Sequence, residues 1–333
     1  MTESVFHRVC IYGAGAIGGW IGTRLAGAGC QVSVVARGAT LDALKRHGLR
    51  TQHGHVEATA AVHASADPAE LGVQDLVVLA IKAPGMLEVA RKIGPLIGPR
   101  TVVLTAMNGV PWWFLQGLGG AHAGQRLHSV DPGGEIGAAL PTEQVIGCVV
   151  HAACSLRLPG FVQHHFGNRL IIGEPSGGHS ERVGQLAALL SRAGFEAVVS
   201  EQIQRDIWFK LWGNMTMNPL SAITGATCDR ILDDPLVRGF CSAVMLEARA
   251  IGAAIGLPIE QEPEQRHAIT RKLGAFKTSM LQDLEAGRAL EIDALVGAVR
   301  EIGSKLGLAT PNIDTLFGLV RLLAQTRGLY PST

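Results

Sequence analysis

The sequence lacks an excess of charge of either sign. Its 29 lysines and arginines are matched by 28 aspartates and glutamates, which gives a formal net charge of +1 over 333 residues. Nucleic acids and anionic membrane surfaces are bound through clusters of positive charge, and this balance indicates neither partner. We therefore expect a protein that binds no nucleic acid and no membrane.

Long apolar runs are also missing. A membrane-spanning helix needs about 18 consecutive apolar residues, and Lys82 interrupts the best candidate, residues 76–86. The first residues, MTESVFHRVCIYG, are too short and too mixed in character for a secretory signal. These absences predict a cytoplasmic location.

The cysteines and histidines do not form a ligand pattern. Six cysteines are present, with no Cys-x-x-Cys pair and no spacing typical of a metal site. His164 and His165 are adjacent on a predicted strand, where neighbouring side chains point to opposite faces. We expect reduced thiols and no metal.

Strands and helices alternate through the first half of the chain, and this alternation predicts a parallel sheet built from βαβ units. The strands are predicted at 8–12, 31–36, 75–81 and 101–107, and helices at 41–47 and 86–93. The segment 112–143 is long and glycine-rich, and we expect an insertion there with an irregular loop around residues 131–134. Three further strands from residue 145 are predicted to form a β-meander, followed by a helix at 180–192 and a last strand at 195–200.

From residue 202 onward the pattern is helical only. Helices are predicted at 202–218, 235–255, 263–285, 291–306 and 311–326. The sequence therefore predicts an α/β protein with two domains. Residues 1–200 form a Rossmann-type dinucleotide-binding domain, and residues 201–333 form an all-α domain.

The segment GAGAIG follows the first strand directly and opens a helix. It consists of Gly13, Ala14, Gly15, Ala16, Ile17 and Gly18. In a dinucleotide-binding turn the three glycines allow a tight turn, close approach of the backbone to the pyrophosphate, and close packing of helix on strand. The N–H groups at the helix start then face the phosphates. The alternative is a glycine-rich turn without a ligand.

Polar residues follow three of the predicted strands. At the end of the second strand an NAD site usually has an acidic residue, whereas Arg37 stands here, and a guanidinium suits the 2′-phosphate of NADP. Lys82 and Asn108 follow the next two strands. Ligands of open α/β sheets bind at this edge, so we predict an NADP(H) site, although Arg37 and Lys82 could also be ordinary surface charges.

The apolar segment FKLWGNMTMNP contains Lys210, Asn214 and Asn218 at a spacing of four residues. Residues four apart lie nearly above one another on an α-helix, so they form one polar stripe on a helix that is otherwise apolar and therefore buried. Buried ammonium and amide groups need hydrogen-bond partners, either other side chains or a ligand in a cleft between the domains. We expect Pro219 to end this helix after Asn218.

Several of these motifs together resemble the ketopantoate reductase (2-dehydropantoate 2-reductase) family, over nearly the whole chain. The resembling segments are GAGAIGG at 13–19, Arg37, IKA at 81–83, Asn108 with Gly109, IWFKLWGNMTMNPLSA at 207–222 and TSMLQDLEAGRALEIDALVG at 278–297. Such proteins have a Rossmann domain and a helical domain similar to the C-terminal domain of 6-phosphogluconate dehydrogenase. They reduce 2-dehydropantoate to pantoate with NADPH, a step of pantothenate biosynthesis.

The resemblance also implies roles for residues of the helical half. Lys210 would be the general acid, and Glu291 would support it and contact cofactor or substrate. Asn214 and Asn218 would hold the 2-oxo acid, and Ser279 would meet its carboxylate. Without the resemblance, Glu291 is equally well explained as an acid favoured at the start of a surface helix.

For the cofactor, the resemblance implies that Lys82, Asn108 and Ala153 line the NADPH, with Asn108 also close to the substrate. One position departs from the family pattern, because Cys228 stands where a substrate-binding asparagine is often found. The substrate therefore stays open, as does the choice between a monomer and a homodimer.

The chemistry favours an enzyme independently of the family. Reduction of a ketone builds negative charge on its oxygen, and an adjacent ammonium can neutralise that charge and supply the proton. Two alternatives remain open: a reductase of another 2-oxo acid or of an imine, and an NADP-binding sensor without turnover.

Overall fold

The computed structural model describes residues 5–331, apart from the side chain of Ala121. Its internal contacts divide the chain into two compact units, each built from two segments. The sheet unit consists of the residues up to Met107 together with Gly134–Ile203, and the helical unit consists of Asn108–Gly133 together with the residues from Gln204 onward.

The sheet unit is built on a mixed β-sheet. Within the described residues the strands are β1 (Arg8–Tyr12), β2 (Gln31–Val35), β3 (Leu49–His53), β4 (Val56–Ala60), β5 (His63–Ser65), β6 (Leu76–Leu79), β7 (Val102–Thr105), β8 (Val145–Leu158), β9 (Phe161–Gly173) and β10 (Glu196–Val199). Their order is β4-β3-β9-β8-β7-β6-β1-β2-β5, with β10 paired to β9. The β3–β4 and β8–β9 pairs are antiparallel and the other pairs are parallel.

The central parallel strands are short and apolar because they are covered on both faces. All residues of β6 and β7 are buried. In the ladder Tyr12 pairs with Val35 and with Leu79, so these three strands end at one level. Gly13, which follows β1, thus lies at the same edge of the sheet as the residues that follow β2 and β6. The prediction of a Rossmann-type parallel sheet is confirmed.

The predicted β-meander is wrong in its strand count. Its second and third strands form the single strand β9, which pairs with β8 along its length. Gly167 lies between the two segments that were predicted as separate strands, and its φ of +76° accommodates an irregularity in the ladder. A Cβ there would lie 2.5 Å from the carbonyl oxygen of His151, so glycine marks a bulge rather than a chain reversal. Strands β3, β4 and β5 were not predicted.

The helices of the sheet unit are α1 (Ala16–Gly27), α2 (Gly38–His47), α3 (Met86–Lys92), α4 (Glu135–Ala139) and α5 (Glu181–Arg192). Side-chain hydrogen bonds help to position three of them. Ser180 begins α5, since its hydroxyl accepts the N–H of Val183 at 3.2 Å. Between α3 and α4, Arg91 donates two hydrogen bonds to the Glu135 carboxylate.

Helix α6 (Ile203–Thr224) begins at the boundary between the units. The other helices of the helical unit are α7 (Cys228–Asp233), α8 (Pro235–Ala254), α9 (Pro263–Arg271), α10 (Ser279–Glu285), α11 (Ala298–Lys305) and α12 (Pro311–Thr326). A π-helical turn, Asp293–Gly297, leads directly into α11. The single predicted helix 263–285 is wrong. Gly274, with φ +63°, and the cap residue Thr278 separate α9 from α10.

Helix α6 also corrects a prediction, because it continues through Pro219 to Thr224 instead of ending at Asn218. Hydroxyl groups after the proline provide part of the hydrogen bonding. Ser221 Oγ donates to the carbonyl of Asn218 at 2.8 Å, and Thr224 Oγ1 donates to that of Leu220 at 2.7 Å. Burial of this apolar helix outweighs the local preference of a residue before proline.

The predicted insertion 112–143 is tightly packed at its start, and residues 131–134, where an irregular loop was expected, form no helix or strand. Trp112, Trp113, Phe114 and Leu115 are at most 2% exposed, and the Phe114 and Trp208 rings lie 5.9 Å apart within the helical unit. Glu301 of α11 anchors the segment by accepting the backbone N–H groups of residues 128 and 129, each at 2.8 Å. Of the helices formed by residues 5–331, none combines the length and hydrophobicity needed to traverse a bilayer.

Candidate active site

The turn after β1 shows a distinct role for each glycine. Gly13 has φ +96°, and a Cβ there would lie 2.5 Å from Ile81 Cγ2. A Cβ at Gly18 would lie 2.0 Å from the carbonyl oxygen of Gly13, so helix and strand approach too closely for any side chain. By contrast, a Cβ at Gly15 would meet no atom within 4 Å. Only Gly15 therefore leaves open space in front of the turn.

The start of α1 fits an anionic group. Gly15 is its N-cap residue, and Ala16 and Ile17 occupy the first turn after the buried Ala14. Among the described residues, no side chain caps this helix, and its first turn contains no acidic residue. Unpaired N–H groups and the positive end of the helix dipole are the features that bind a pyrophosphate. The residues present thus fit the dinucleotide.

Arg37 lies at the N-cap position of α2 and is engaged in an ion pair. Its Nη1 donates to both carboxylate oxygens of Glu88, at 2.7 and 2.9 Å. Lys92 donates to the same carboxylate at 2.9 Å. Hydrogen bonds from Lys92 and Arg37 lower the pKa of Glu88. The Arg37 side chain is nevertheless 72% exposed, and exposed pairs of this kind are weak and readily replaced by a better partner.

Lys82 and Ala153 also lie in the sheet unit. Lys82 follows β6 and is the residue before a short 3₁₀ turn, Ala83–Gly85, where it is half-buried. Ala153 lies on β8 within the irregular part of the ladder, paired with Phe166.

Lys210 and Asn108 meet in the helical unit. Lys210 projects from α6, half-buried, and its Nζ donates to Asn108 Oδ1 at 2.8 Å. These residues are 102 positions apart in sequence. Because the amide oxygen is a neutral acceptor, it orients the ammonium without cancelling its charge.

The remaining residues of the polar stripe lie further along α6. Asn214 is half-buried, and Asn218 is 6% exposed. One turn on, Ser221 Oγ lies 2.5 Å from Thr278 Oγ1. Thr278 caps α10, whose first residue is Ser279, and Ser279 is exposed. The Ser221–Thr278 contact thereby holds the start of α10 against α6.

Glu291 is 7% exposed and lies just before the π-helical turn. That turn contacts the residues that carry Asn108. The carbonyl of Ala294 accepts the N–H of Val110 at 2.8 Å, and Gly109, with φ +81°, approaches it so closely that a Cβ would lie 2.6 Å from the same oxygen. The contact of residues 109 and 110 with Ala294 was not predicted from the sequence. The pair Asn108-Gly109 was the feature that could have indicated it.

Comparison with known proteins identifies the family. The family model described as "Ketopantoate reductase PanE/ApbA" matches residues 9–177, and "Ketopantoate reductase PanE/ApbA C terminal" matches residues 202–324. The 2-dehydropantoate 2-reductase of Mesorhizobium japonicum is 47% identical over 324 residues, which cover 97% of this chain and 99% of that relative.

The chain belongs to the ketopantoate reductase family.

Solved structures agree with this assignment. A protein of Ralstonia solanacearum MolK2, provisionally assigned as a ketopantoate reductase, has 61% sequence identity and a TM-score of 0.94, covering 98% of this chain and 100% of its own. D-mandelate dehydrogenase, in a ternary structure with NADH and anilino(oxo)acetate, has 25% sequence identity and a TM-score of 0.82. The match covers 96% of this chain and 99% of that enzyme's chain. As a ketopantoate reductase family member, the protein is an oxidoreductase that acts on a CH–OH group with a pyridine nucleotide.

Two further residues of the helical unit bear on the candidate site. Cys228 is 2% exposed, and burial followed by the nearby Asp229 carboxylate raises the pKa of its thiol to about 11, so it stays neutral. Arg266 was not predicted as a site residue. Its guanidinium lies 5.2 Å from the Phe209 ring and against the backbone of Gly213, and burial lowers its pKa.

Proposed function

We propose that this protein reduces 2-dehydropantoate to pantoate with NADPH and that Lys210 is the general acid. The observation that carries the proposal is the hydrogen bond of 2.8 Å between Lys210 Nζ and Asn108 Oδ1. It holds a half-buried ammonium group on α6, a helix whose residues are mostly apolar and buried. Such an arrangement provides charge and a proton where a ketone oxygen would need both.

Held through residues 13–18, Lys82 and Ala153, NADPH would be the source of the hydride that adds to the carbonyl carbon of the 2-oxo acid. Negative charge then develops on the carbonyl oxygen. The Lys210 ammonium stabilises this charge and transfers one proton to the oxygen, which completes the hydroxyl group. Asn108 restricts the position of the ammonium, so that little reorganisation is needed when the charge forms.

Substrate binding is assigned to the rest of the polar stripe and to α10. Asn214 and Asn218 can bond hydroxyl and carbonyl groups without adding charge. Ser279, as the first residue of α10, can donate its hydroxyl to the substrate carboxylate. Asn108 is proposed to contact both substrate and cofactor. Glu291 is proposed to restrain Lys210 and to contact cofactor or substrate.

Cofactor binding is assigned to the sheet unit. Residues 13–18 would hold the pyrophosphate through the backbone, and Lys82 and Ala153 would line the nucleotide. Arg37 would bind the 2′-phosphate of NADPH. A phosphate with two negative charges is a stronger partner for a guanidinium than the exposed Glu88 carboxylate, so we expect NADPH to replace that ion pair.

A second candidate is an NADH-dependent reductase of another 2-oxo acid. Two observations favour it: Arg37 is already paired with Glu88, and the neutral, buried thiol of Cys228 lies at a position implied to contact substrate. D-mandelate dehydrogenase, which has the same fold, has been solved with NADH.

A substrate panel tests the proposal. We would measure kcat/KM by nicotinamide absorbance for 2-dehydropantoate and for 2-oxo acids with branched or aromatic side chains, each with NADPH and with NADH. The proposal predicts the highest value for 2-dehydropantoate with NADPH. A higher value for another acid or for NADH would favour the second candidate, and tight NADPH binding without any oxidation would indicate a sensor protein.

A further inference from the structure

The C-terminal end of α12 reverses the direction of the chain. Gly328 has φ +67°, its N–H donates to the carbonyl of Gln325 at 3.0 Å, and the N–H of Leu329 donates to that of Ala324 at 2.8 Å. This pair of bonds is a Schellman motif. As a result Tyr330 folds back, and its hydroxyl donates to Asp293 Oδ1 at 2.7 Å.

The Tyr330–Asp293 bond lies in a partly buried environment. Burial, followed by the hydrogen bond to Asp293, raises the pKa of Tyr330. Burial also raises the pKa of Asp293, although the tyrosine hydroxyl and Arg321 oppose that shift. Gly297 packs closely beside the pair, since a Cβ there would lie 3.3 Å from Asp293 Oδ1.

Asp293 is the first residue of the π-helical turn, which is closed by the bond from the N–H of Ala298 to the carbonyl of Asp293. π-helical turns are uncommon, less favourable than α-helical ones, and found frequently at functional sites. The second residue of the turn, Ala294, accepts the N–H of Val110 at 2.8 Å. The turn therefore determines where the backbone of residues 109 and 110 can lie.

We propose that Tyr330 and Asp293 are positioning residues: their hydrogen bond holds the π-helical turn, the turn fixes the backbone beside Asn108, and Asn108 thereby orients the Lys210 ammonium. The chain of contacts runs from Tyr330 to Asp293, then through Ala294 and residues 109–110 to Asn108. The expected effect of these contacts on catalysis rests on the proposed role of Lys210 as general acid. Tyr330 lies beyond residue 324, where the match to the family model ends.

The test replaces Tyr330 with Phe, which removes only the hydroxyl group. The matched control is Gln325→Ala, because Gln325 Nε2 donates to the carbonyl of Pro331 at 3.3 Å and so contacts the same terminal segment without contacting Asp293. We expect kcat to fall about tenfold in Tyr330→Phe, the scale of a small misplacement of a catalytic group. KM and the NADPH dissociation constant should be unchanged, and Gln325→Ala should match the wild type.

A double-mutant cycle separates positioning from general destabilisation. If Tyr330 acts through Asn108, Tyr330→Phe should have little further effect on kcat in an Asn108→Ala background. The proposal would be overturned if Tyr330→Phe lowered kcat by the same factor in both backgrounds. It would also be overturned if Gln325→Ala lowered kcat as much as Tyr330→Phe does.

A readout without turnover keeps this test separate from that of the proposed function. We would treat the folded protein with limiting acetic anhydride and measure by mass spectrometry the rate at which Lys210 is acetylated. Loosening of the Asn108 contact predicts faster modification in Tyr330→Phe than in the wild type or Gln325→Ala. An unchanged rate overturns the positioning role, whereas a faster rate in a protein that reduces no 2-oxo acid upholds it and rejects only the proposed reaction.

Discussion

Two turns of this protein each follow a buried parallel strand, and they serve different purposes. The turn at residues 13–18, after β1, presents backbone groups, and the space in front of Gly15 is open. The turn at Asn108 and Gly109, after β7, presents a side chain, since Asn108 accepts the hydrogen bond of Lys210. In both turns a glycine with positive φ lies against a backbone carbonyl, that of Ala80 at Gly13 and that of Ala294 at Gly109.

The difference lies in what fixes each turn. The first is held by contacts with neighbouring strands, and backbone N–H groups can bind a phosphate whatever the surrounding side chains are. The second depends on the π-helical turn Asp293–Gly297, which is distant in sequence and contacts Val110 through Ala294. Nucleotide binding through the backbone of residues 13–18 should therefore be weakened by substitutions that add atoms to the turn. Catalysis through the side chains of Lys210 and Asn108 should be weakened by substitutions that remove atoms.

The largest effect is expected for Lys210→Ala. Loss of the general acid should lower kcat by about two to four decades, with the NADPH dissociation constant unchanged because the nucleotide turn is untouched. The measurement is steady-state turnover beside fluorescence titration of NADPH. Lys272→Ala, at an exposed position of the same helical unit, serves as the control. Near-normal turnover in Lys210→Ala would remove this residue from the proposed role.

The next effect concerns Gly109→Ala. The new Cβ would lie 2.6 Å from the Ala294 carbonyl oxygen, at a φ of +81°. Strain and overlap together should lower the free energy of unfolding by about 2–4 kcal/mol, measured by urea denaturation. Gly119→Ala, in the same segment but with no atom within 4 Å of its Cβ, should have little effect. Equal stability of the two variants would contradict the tight contact with the π-helical turn.

Gly15→Ala should show the opposite behaviour. Its Cβ meets no protein atom, so stability should be unchanged. NADPH affinity should fall about 10- to 100-fold, the scale of one or two lost hydrogen bonds to a charged group. Gly27→Ala, in the same helix and equally open, is the control. Undiminished affinity in Gly15→Ala would mean that the pyrophosphate does not approach this turn.

The smallest effect is expected for Arg37→Ala. Loss of one charged partner of the 2′-phosphate should weaken NADPH binding about 10-fold, with NADH binding nearly unchanged. The reciprocal variant, Glu88→Gln, removes the competing carboxylate and should strengthen NADPH binding. Both dissociation constants can be measured by calorimetry. An equal loss for the two cofactors in Arg37→Ala would assign Arg37 a role other than 2′-phosphate recognition.

The same contrast explains what could be predicted from sequence. The turn at residues 13–18 is a local pattern, as are the apolar strands around it, and these predictions agree with the structure. The stripe on α6 was found from helical spacing alone. Its Lys210–Asn108 contact joins residues 102 positions apart, and no local pattern specifies it. The continuation of α6 through Pro219 also escaped prediction, because burial of the whole helix decides it.

The interleaved order of the two units has a consequence for synthesis on the ribosome. Residues 108–133 leave the exit tunnel before residues 204 onward have been translated, although both belong to the helical unit. Until then the nascent chain exposes Trp112, Trp113 and Phe114, which are buried in the finished protein. Such exposed aromatic surface is prone to aggregation. A chaperone that covers this tryptophan-rich stretch should therefore improve the yield of the protein, and a gene shortened to the first 203 codons should produce mainly insoluble material.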